Sequence, residues 1–204
     1  MSEGCGCGAR FDGMSEAYRR ALGIVIVINA AMFCIEMTAG VLAGSQALKA
    51  DALDFLADTL TYAMSLAVIG RPLRVRATAA LIKGASLAAV GVWVLGSTAY
   101  RVLALGVPEA PVMGAIGVLA LFANLTSVLV LLRYRDGDAN VRSVWLCSRN
   151  DAIGNVAVIA AAGAVALTGS AWPDLLVAAV LAGLFSWSAL HIVRQALDER
   201  LRKL

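Results

Sequence analysis

Long apolar stretches alternate with short polar or glycine-bearing turns along the whole chain. The apolar stretches cover residues 20–43, 46–69, 78–104, 112–132, 143–168 and 173–194. Each is long enough for a helix to cross a hydrocarbon core about 30 Å thick. Turns as short as Gly44-Ser45-Gln46 make consecutive helices antiparallel neighbours. The pattern predicts an all-α membrane protein, a bundle of six transmembrane helices.

The composition supports this fold and leaves little room for a soluble domain. Of the 204 residues, 60% are hydrophobic and 15% charged, and the mean hydropathy is +0.81. A soluble globular chain carries about 25% charged residues. We therefore expect a mobile tail at residues 1–18, a six-helix transmembrane domain at 19–196 and a short tail at 197–204, without a soluble metal-binding domain.

The basic residues predict the orientation of this bundle. If there are six spans, all of the 17 Lys and Arg residues except Lys49 and Arg101 fall on one side. Cytoplasmic loops carry the Lys and Arg excess in membrane proteins. Both tails are therefore predicted to be cytoplasmic, and the basic residues form no footprint for nucleic acid.

The second predicted helix carries three aspartates, Asp51, Asp54 and Asp58, inside an apolar span. At 100° per residue they lie within about 60° of one another on one face. An ionised carboxylate near the bilayer centre costs at least ~2.5–3.5 kcal/mol. A cation, protons or water must compensate three carboxylates on one face, which indicates an ion pathway.

The fifth predicted helix repeats the spacing, with Cys147 and Asp151 one turn apart. In an antiparallel bundle Asp151 lies near the level of Asp58. Asp54, Asp58, Cys147 and Asp151 can then form one metal site between two helices. Oxygen and sulfur ligands suit tetrahedral Zn²⁺, and the sulfur favours softer ions such as Cd²⁺. The alternatives are a structural pairing of the acids and a Cys147 that only packs as a small hydrophobe.

Four further polar residues are candidates for the pathway or for hydrogen bonds to the ligands. They are Asn29, Glu36, Asp51 and Asn155. Asn29 and Glu36, on the first helix, either line the pathway or bond to neighbouring helices.

Two stretches resemble the cation diffusion facilitator family. One is NAAMFCIEMTAGVLAGSQALKADALDFLAD, from Asn29 to Asp58, and the other is VRSVWLCSRNDAIGNVAVIAAAGAVALTGSAWPDLLVA, residues 141–178. The resemblance implies export of divalent metals, often Zn²⁺, in exchange for protons, commonly by homodimers. It also places the family's metal site at Asp54, Asp58, Cys147 and Asp151.

The sequence departs from the family pattern in three ways. Cys147 stands where a His is usual, the His-rich loop between helices 4 and 5 is missing, and the chain stops at Leu204, before any C-terminal metal-binding domain. A homodimer would then have to pair through membrane helices.

We accordingly expect a transporter of Zn²⁺ or Cd²⁺ in the bacterial inner (plasma) membrane. It would be no enzyme, would hold no permanent cofactor, and would have protons, the metal ion and lipid as partners. Two rival functions are a proton-coupled exporter of small organic cations and an intramembrane metal-dependent enzyme. The first would use an aromatic-lined pocket, yet aromatics make up 6% of the chain. The second would use a longer Asp pattern, with Gly and Arg between the acids, than DALDFLAD offers.

Overall fold

A computed structural model describes residues 15–67, 82, 85, 88, 89, 91–100, 106–134 and 139–201. The helices are α1 (Glu16–Leu42), α2 (Gln46–Ala67), α3 (91–100 in its continuous part), α4 (Ala110–Leu131), α5 (Ala139–Thr168) and α6 (Trp172–Leu201). A single 3₁₀ turn, Leu132–Tyr134, follows α4. The described residues contain no strand, so the all-α fold class is confirmed. Much of the predicted third span, 78–104, lies outside the described residues.

The helix ends follow from local capping chemistry. The Ser15 side chain accepts a hydrogen bond from the backbone N–H of Tyr18 at 3.2 Å and starts α1. Gly44 and Gly169, with φ of 70° and 61°, make the left-handed turns after α1 and α5. α1 begins before its apolar stretch and α6 continues beyond its own, because hydropathy marks only the part of a helix that contacts lipid.

α2 is the central helix of the bundle, packed against α1, α5 and α6. Its antiparallel register with α1 sets Asn29 beside Asp58 and Glu36 beside Asp51. α3 contacts it through Ser97, whose hydroxyl donates to Gln46 Oε1 at 2.8 Å. α2 is therefore enclosed by protein, which is where a membrane helix with acidic residues must lie.

The apolar core lies at the half of the bundle that contains the start of α2. Side chains from five helices meet there: Leu48 and Leu53 from α2, Val94 from α3, Met113 from α4, Val158 from α5 and Ala178 from α6. Gly40 brings α1 close to this core, since a Cβ at Gly40 would lie 3.0 Å from Lys49 Cγ. Such close approach at a small residue is how helices associate in lipid.

The outer surface is apolar, as expected of a protein surrounded by lipid. Val27, Leu129, Leu167 and Leu176, which lie on α1, α4, α5 and α6, are 65–89% exposed. Within the described residues, three segments are long and apolar enough to cross a membrane, Glu16–Leu42, Ala110–Tyr134 and Asp151–Thr168. The chain is an integral membrane protein.

The two ends of the bundle differ in charge. We name the end that carries Glu16 and Leu201 the tail side, and the end that carries Gly44 the turn side. The exposed basic residues Arg19, Arg20, Arg133 and Arg194 lie toward the tail side. This agrees with the charge asymmetry predicted from the sequence, and the membrane face that each end occupies stays a prediction.

Candidate metal site

The predicted site residues of α2 point into the bundle at successive turns. Asp51 and Asp58 are 1% and 8% exposed, and Asp54 is partly buried between them. Because α2 is packed against α1, α5 and α6, the Asp51 and Asp58 carboxylates are shielded from bulk water. Their compensation must come from neighbouring side chains or from cations.

The layer nearer the tail side is centred on Asp58. The Asn29 amide donates to Asp58 Oδ2 at 3.5 Å, and the Tyr62 hydroxyl donates to the same oxygen. The Asp151 carboxyl, on α5, lies against the Asp58 carboxyl, with Asp54 also near enough to act on it electrostatically. The fold thus brings Asp54, Asp58 and Asp151 into one neighbourhood between α2 and α5.

The layer nearer the turn side is centred on Asp51. Asn155 Nδ2, on α5, donates to Asp51 Oδ2 at 2.5 Å, and Asn124 Nδ2, on α4, donates to Asn155 Oδ1 at 2.9 Å. The carboxyl of Glu36, on α1, lies beside the Asp51 carboxyl, within hydrogen-bond reach. Asn29 and Asn155 are therefore bonded to acids on α2, while Glu36 meets an acid rather than a donor.

Cys147 occupies the turn of α5 before Asp151, but its side chain lies outside the described residues. Among the side chains that are described, no three Asp, Glu, Cys or His groups converge closely enough to hold a metal ion. The carboxylates form a ladder of acids along the bundle axis rather than a closed cage.

Three polar residues that support these layers were missed by sequence reasoning. Tyr62 hydrogen-bonds to Asp58, and Asn124 hydrogen-bonds to Asn155. Asp174, on α6, accepts a hydrogen bond from the start of α2. Each is a polar group inside an apolar helix, which is the signal that could have found them. Tyr62 also stands one turn after Asp58, a spacing at which helical side chains meet.

Asp174 fixes the position of α2, and hence of its acids, along the bundle axis. Its carboxylate accepts from the Ser45 hydroxyl and from the backbone N–H groups of Gln46 and Ala47, at 2.6, 2.8 and 3.0 Å. Asp174 is only 1% exposed. It satisfies N–H groups that a helix start leaves without partners, and so ties α2 to α6 at the turn side.

Comparison with known proteins agrees with this architecture. The profile of the cation efflux transmembrane domain matches residues 22–199. The metal cation efflux system protein CzcD of Cupriavidus metallidurans is 32% identical over 178 residues, which cover 81% of this chain and 56% of CzcD. The zinc transporter ZitB of Escherichia coli is 27% identical over 187 residues, which cover 85% of this chain and 60% of ZitB.

The chain thus spans less than two thirds of the length of either relative. The profile match nevertheless covers all of the helices that carry the buried acids. The family and both relatives are named for transport rather than for an enzymatic reaction. The chain belongs to the cation efflux family, the cation diffusion facilitators.

Proposed function

We propose that the protein moves a divalent transition-metal ion, Zn²⁺ or Cd²⁺, out of the cytoplasm in exchange for protons. The observation that supports this most strongly is the contact of Asp58 on α2 with Asp151 on α5 inside an apolar bundle. Two acids that meet away from water repel each other when ionised, so a shared cation or protons must neutralise them. The named activities of CzcD and ZitB point to the same class of ion.

In this proposal Asp54, Asp58 and Asp151 bind the metal, and Cys147 supplies a fourth ligand from the preceding turn of α5. Carboxylates and thiolates bind metals only when deprotonated, so metal binding displaces protons. Alternating exposure of one site to the two membrane faces then exchanges metal for protons. Asn29 and Tyr62 orient the Asp58 carboxylate through their hydrogen bonds.

The test is metal flux into proteoliposomes loaded with a metal-sensitive dye. Asp58→Ala and Asp151→Ala should each abolish Zn²⁺ flux while the protein still inserts, because Ala is cheaper than Asp in lipid. Glu109→Ala is the matched control, since Glu109 is an exposed acid whose side chain makes no capping bond at the start of α4. Retention of most flux in the double variant Asp58→Ala/Asp151→Ala would refute the site.

Proton exchange has a separate test. Titration of the purified protein with Zn²⁺ in weak buffer at pH 7 should release protons, and an imposed pH gradient should drive flux. If metal binds without proton release, the exchange mechanism is wrong even where the metal site is right. The same vesicles, offered small organic cations, test the rival transport function.

The proposal also includes a homodimer formed through membrane helices, in the bacterial inner membrane and with both tails in the cytoplasm. The exposed apolar faces of α1, α4 and α6 offer surfaces for such pairing. Cross-linking of the protein in native membranes measures the assembly directly.

A further inference from the structure

Glu36 is an unusual polar group within the described part of the bundle. It is 0% exposed, and no amide, hydroxyl or ammonium group of the described residues donates to its carboxylate oxygens; the polar group beside it is the Asp51 carboxyl. A buried acid without donors carries a large desolvation cost, whether ionised or not. Such a group in a native fold needs either a proton shared with a neighbouring acid or a bound cation.

What faces Glu36 is a second acid, Asp51, which is 1% exposed. The amides of this layer form a chain of hydrogen bonds, in which Asn124 donates to Asn155 and Asn155 donates to Asp51. This chain ends at Asp51, and neither Glu36 oxygen accepts a hydrogen bond from it. The amides stabilise one carboxylate of the pair and leave the other uncompensated.

Lys49 lies on the same half of α2, and its ammonium is placed over the Trp93 ring, 5.9 Å from the ring centroid. It donates no hydrogen bond to either Glu36 oxygen. The space between Glu36 and Asp51 is therefore bounded by acceptor oxygens from two helices.

Glu36 and Asp51 are not among the ligands proposed above, although Asp54 lies close enough to Glu36 to act on it electrostatically. Glu36 and Asp51 are each seven residues from their counterparts in the Asn29–Asp58 layer, a distance of about 10 Å along the helix axes. Asp51 lies on the turn side of Asp54 and Asp58. A cation between Glu36 and Asp51 would thus lie one to two helical turns closer to the turn side.

We propose that Glu36 and Asp51 form a second divalent-cation site, which the transported ion occupies between the Asp54/Asp58/Asp151 site and the turn side. The inference rests on the proposed transport function. With two carboxylates as its protein ligands, the site would hold a partly hydrated ion and would prefer harder cations than a site containing Cys147. Weak binding at this position would let the ion leave.

The experiment is Mn²⁺ binding to the purified full chain in nanodiscs, followed by the loss of the electron paramagnetic resonance signal of free Mn²⁺. Glu36→Gln and Asp51→Asn remove one charge each with little change of shape. Each should weaken Mn²⁺ binding at least about tenfold, and Asp58→Ala should leave that Mn²⁺ site in place. Glu109→Gln serves as the control for loss of an exposed carboxylate.

A parallel Cd²⁺ titration monitors the other site. Glu36→Gln should keep the Cd²⁺ binding that Asp58→Ala removes. Mn²⁺ binding that is unchanged in both Glu36→Gln and Asp51→Asn would overturn the second site, as would loss of all Mn²⁺ binding in Asp58→Ala. Two independent substitutions, each checked by gel filtration, keep the test valid if one variant misfolds.

Failure of the transport proposal would look different. Wild-type vesicles without Zn²⁺ flux would contradict transport, yet the binding experiment would still decide whether Glu36 and Asp51 hold a cation. If wild type transports Zn²⁺ but neither Glu36→Gln nor Asp51→Asn changes Mn²⁺ binding, the transport proposal is supported and only the second site is refuted.

Discussion

The Ser45 hydroxyl donates a 2.6 Å hydrogen bond to the carboxylate of Asp174, a residue 129 positions further along the chain. The same Ser45 oxygen accepts from the backbone N–H of Leu48 at 3.0 Å, so Ser45 and Asp174 together cap the first turn of α2. The contact joins α2 to α6 at the turn side. It therefore fixes the positions of Asp51, Asp54 and Asp58 along the bundle axis.

Asp174→Ala is expected to destabilise the protein. It would leave the N–H groups of Gln46 and Ala47 and the Ser45 hydroxyl buried without an acceptor, at a cost of about 1–3 kcal/mol. The measurement is the midpoint of thermal aggregation in detergent. Asp174→Asn keeps one acceptor oxygen, so its midpoint should lie between those of wild type and Asp174→Ala. Equal midpoints for all three proteins would contradict the capping role.

Tyr62→Phe should weaken metal binding without loss of the fold. The Tyr62 ring packs beside Leu22 and Val25, and Phe keeps that packing while it removes the hydroxyl that bonds to Asp58. Loss of a bond that orients a ligand costs about 10–100-fold in metal affinity. The measurement is the Zn²⁺ affinity of Tyr62→Phe by calorimetry. Tyr18→Phe, in the same apolar cluster, is the control. An unchanged Zn²⁺ affinity in Tyr62→Phe would mean that Tyr62 contributes only packing.

Cys147→His should keep the number of ligands and shift preference from Cd²⁺ toward Zn²⁺, because nitrogen is a harder donor than sulfur. Cys147→Ser should weaken binding of both ions, and of Cd²⁺ more. The affinities of wild type and both variants for the two metals are the measurement. If the ratio of Cd²⁺ to Zn²⁺ affinity is the same in Cys147→Ser as in wild type, Cys147 is not a ligand.

The predicted orientation can be tested with single cysteines in a cysteine-free background. Glu16→Cys lies at the exposed start of α1, on the tail side, and Glu109→Cys is exposed before α4, on the turn side. A membrane-impermeant maleimide applied to cells with a permeabilised outer membrane should label only the Glu109 position. Labelling of the Glu16 position before inner-membrane lysis would reverse the assignment.

Much of the candidate site could be predicted from local spacing. Asp54 and Asp58, and likewise Cys147 and Asp151, are one turn apart on their own helices, and antiparallel helices of membrane length bring Asp58 and Asp151 to similar depth. The structure places the Asp58 and Asp151 carboxyls together. The side chain of Cys147 is outside the described residues, so its ligand role stays a prediction.

The sequence by itself determined the number of predicted spans, the antiparallel order of neighbours and the acidic face of α2, because hydropathy and helical periodicity act locally. Only the tertiary structure decided that Asn124 supports Asn155, that Glu36 meets Asp51 and that Asp174 caps α2. These contacts depend on the rotation of each helix about its axis. In lipid the inner and outer faces of a helix are both apolar, so hydropathy does not set that rotation. Packing and buried hydrogen bonds set it.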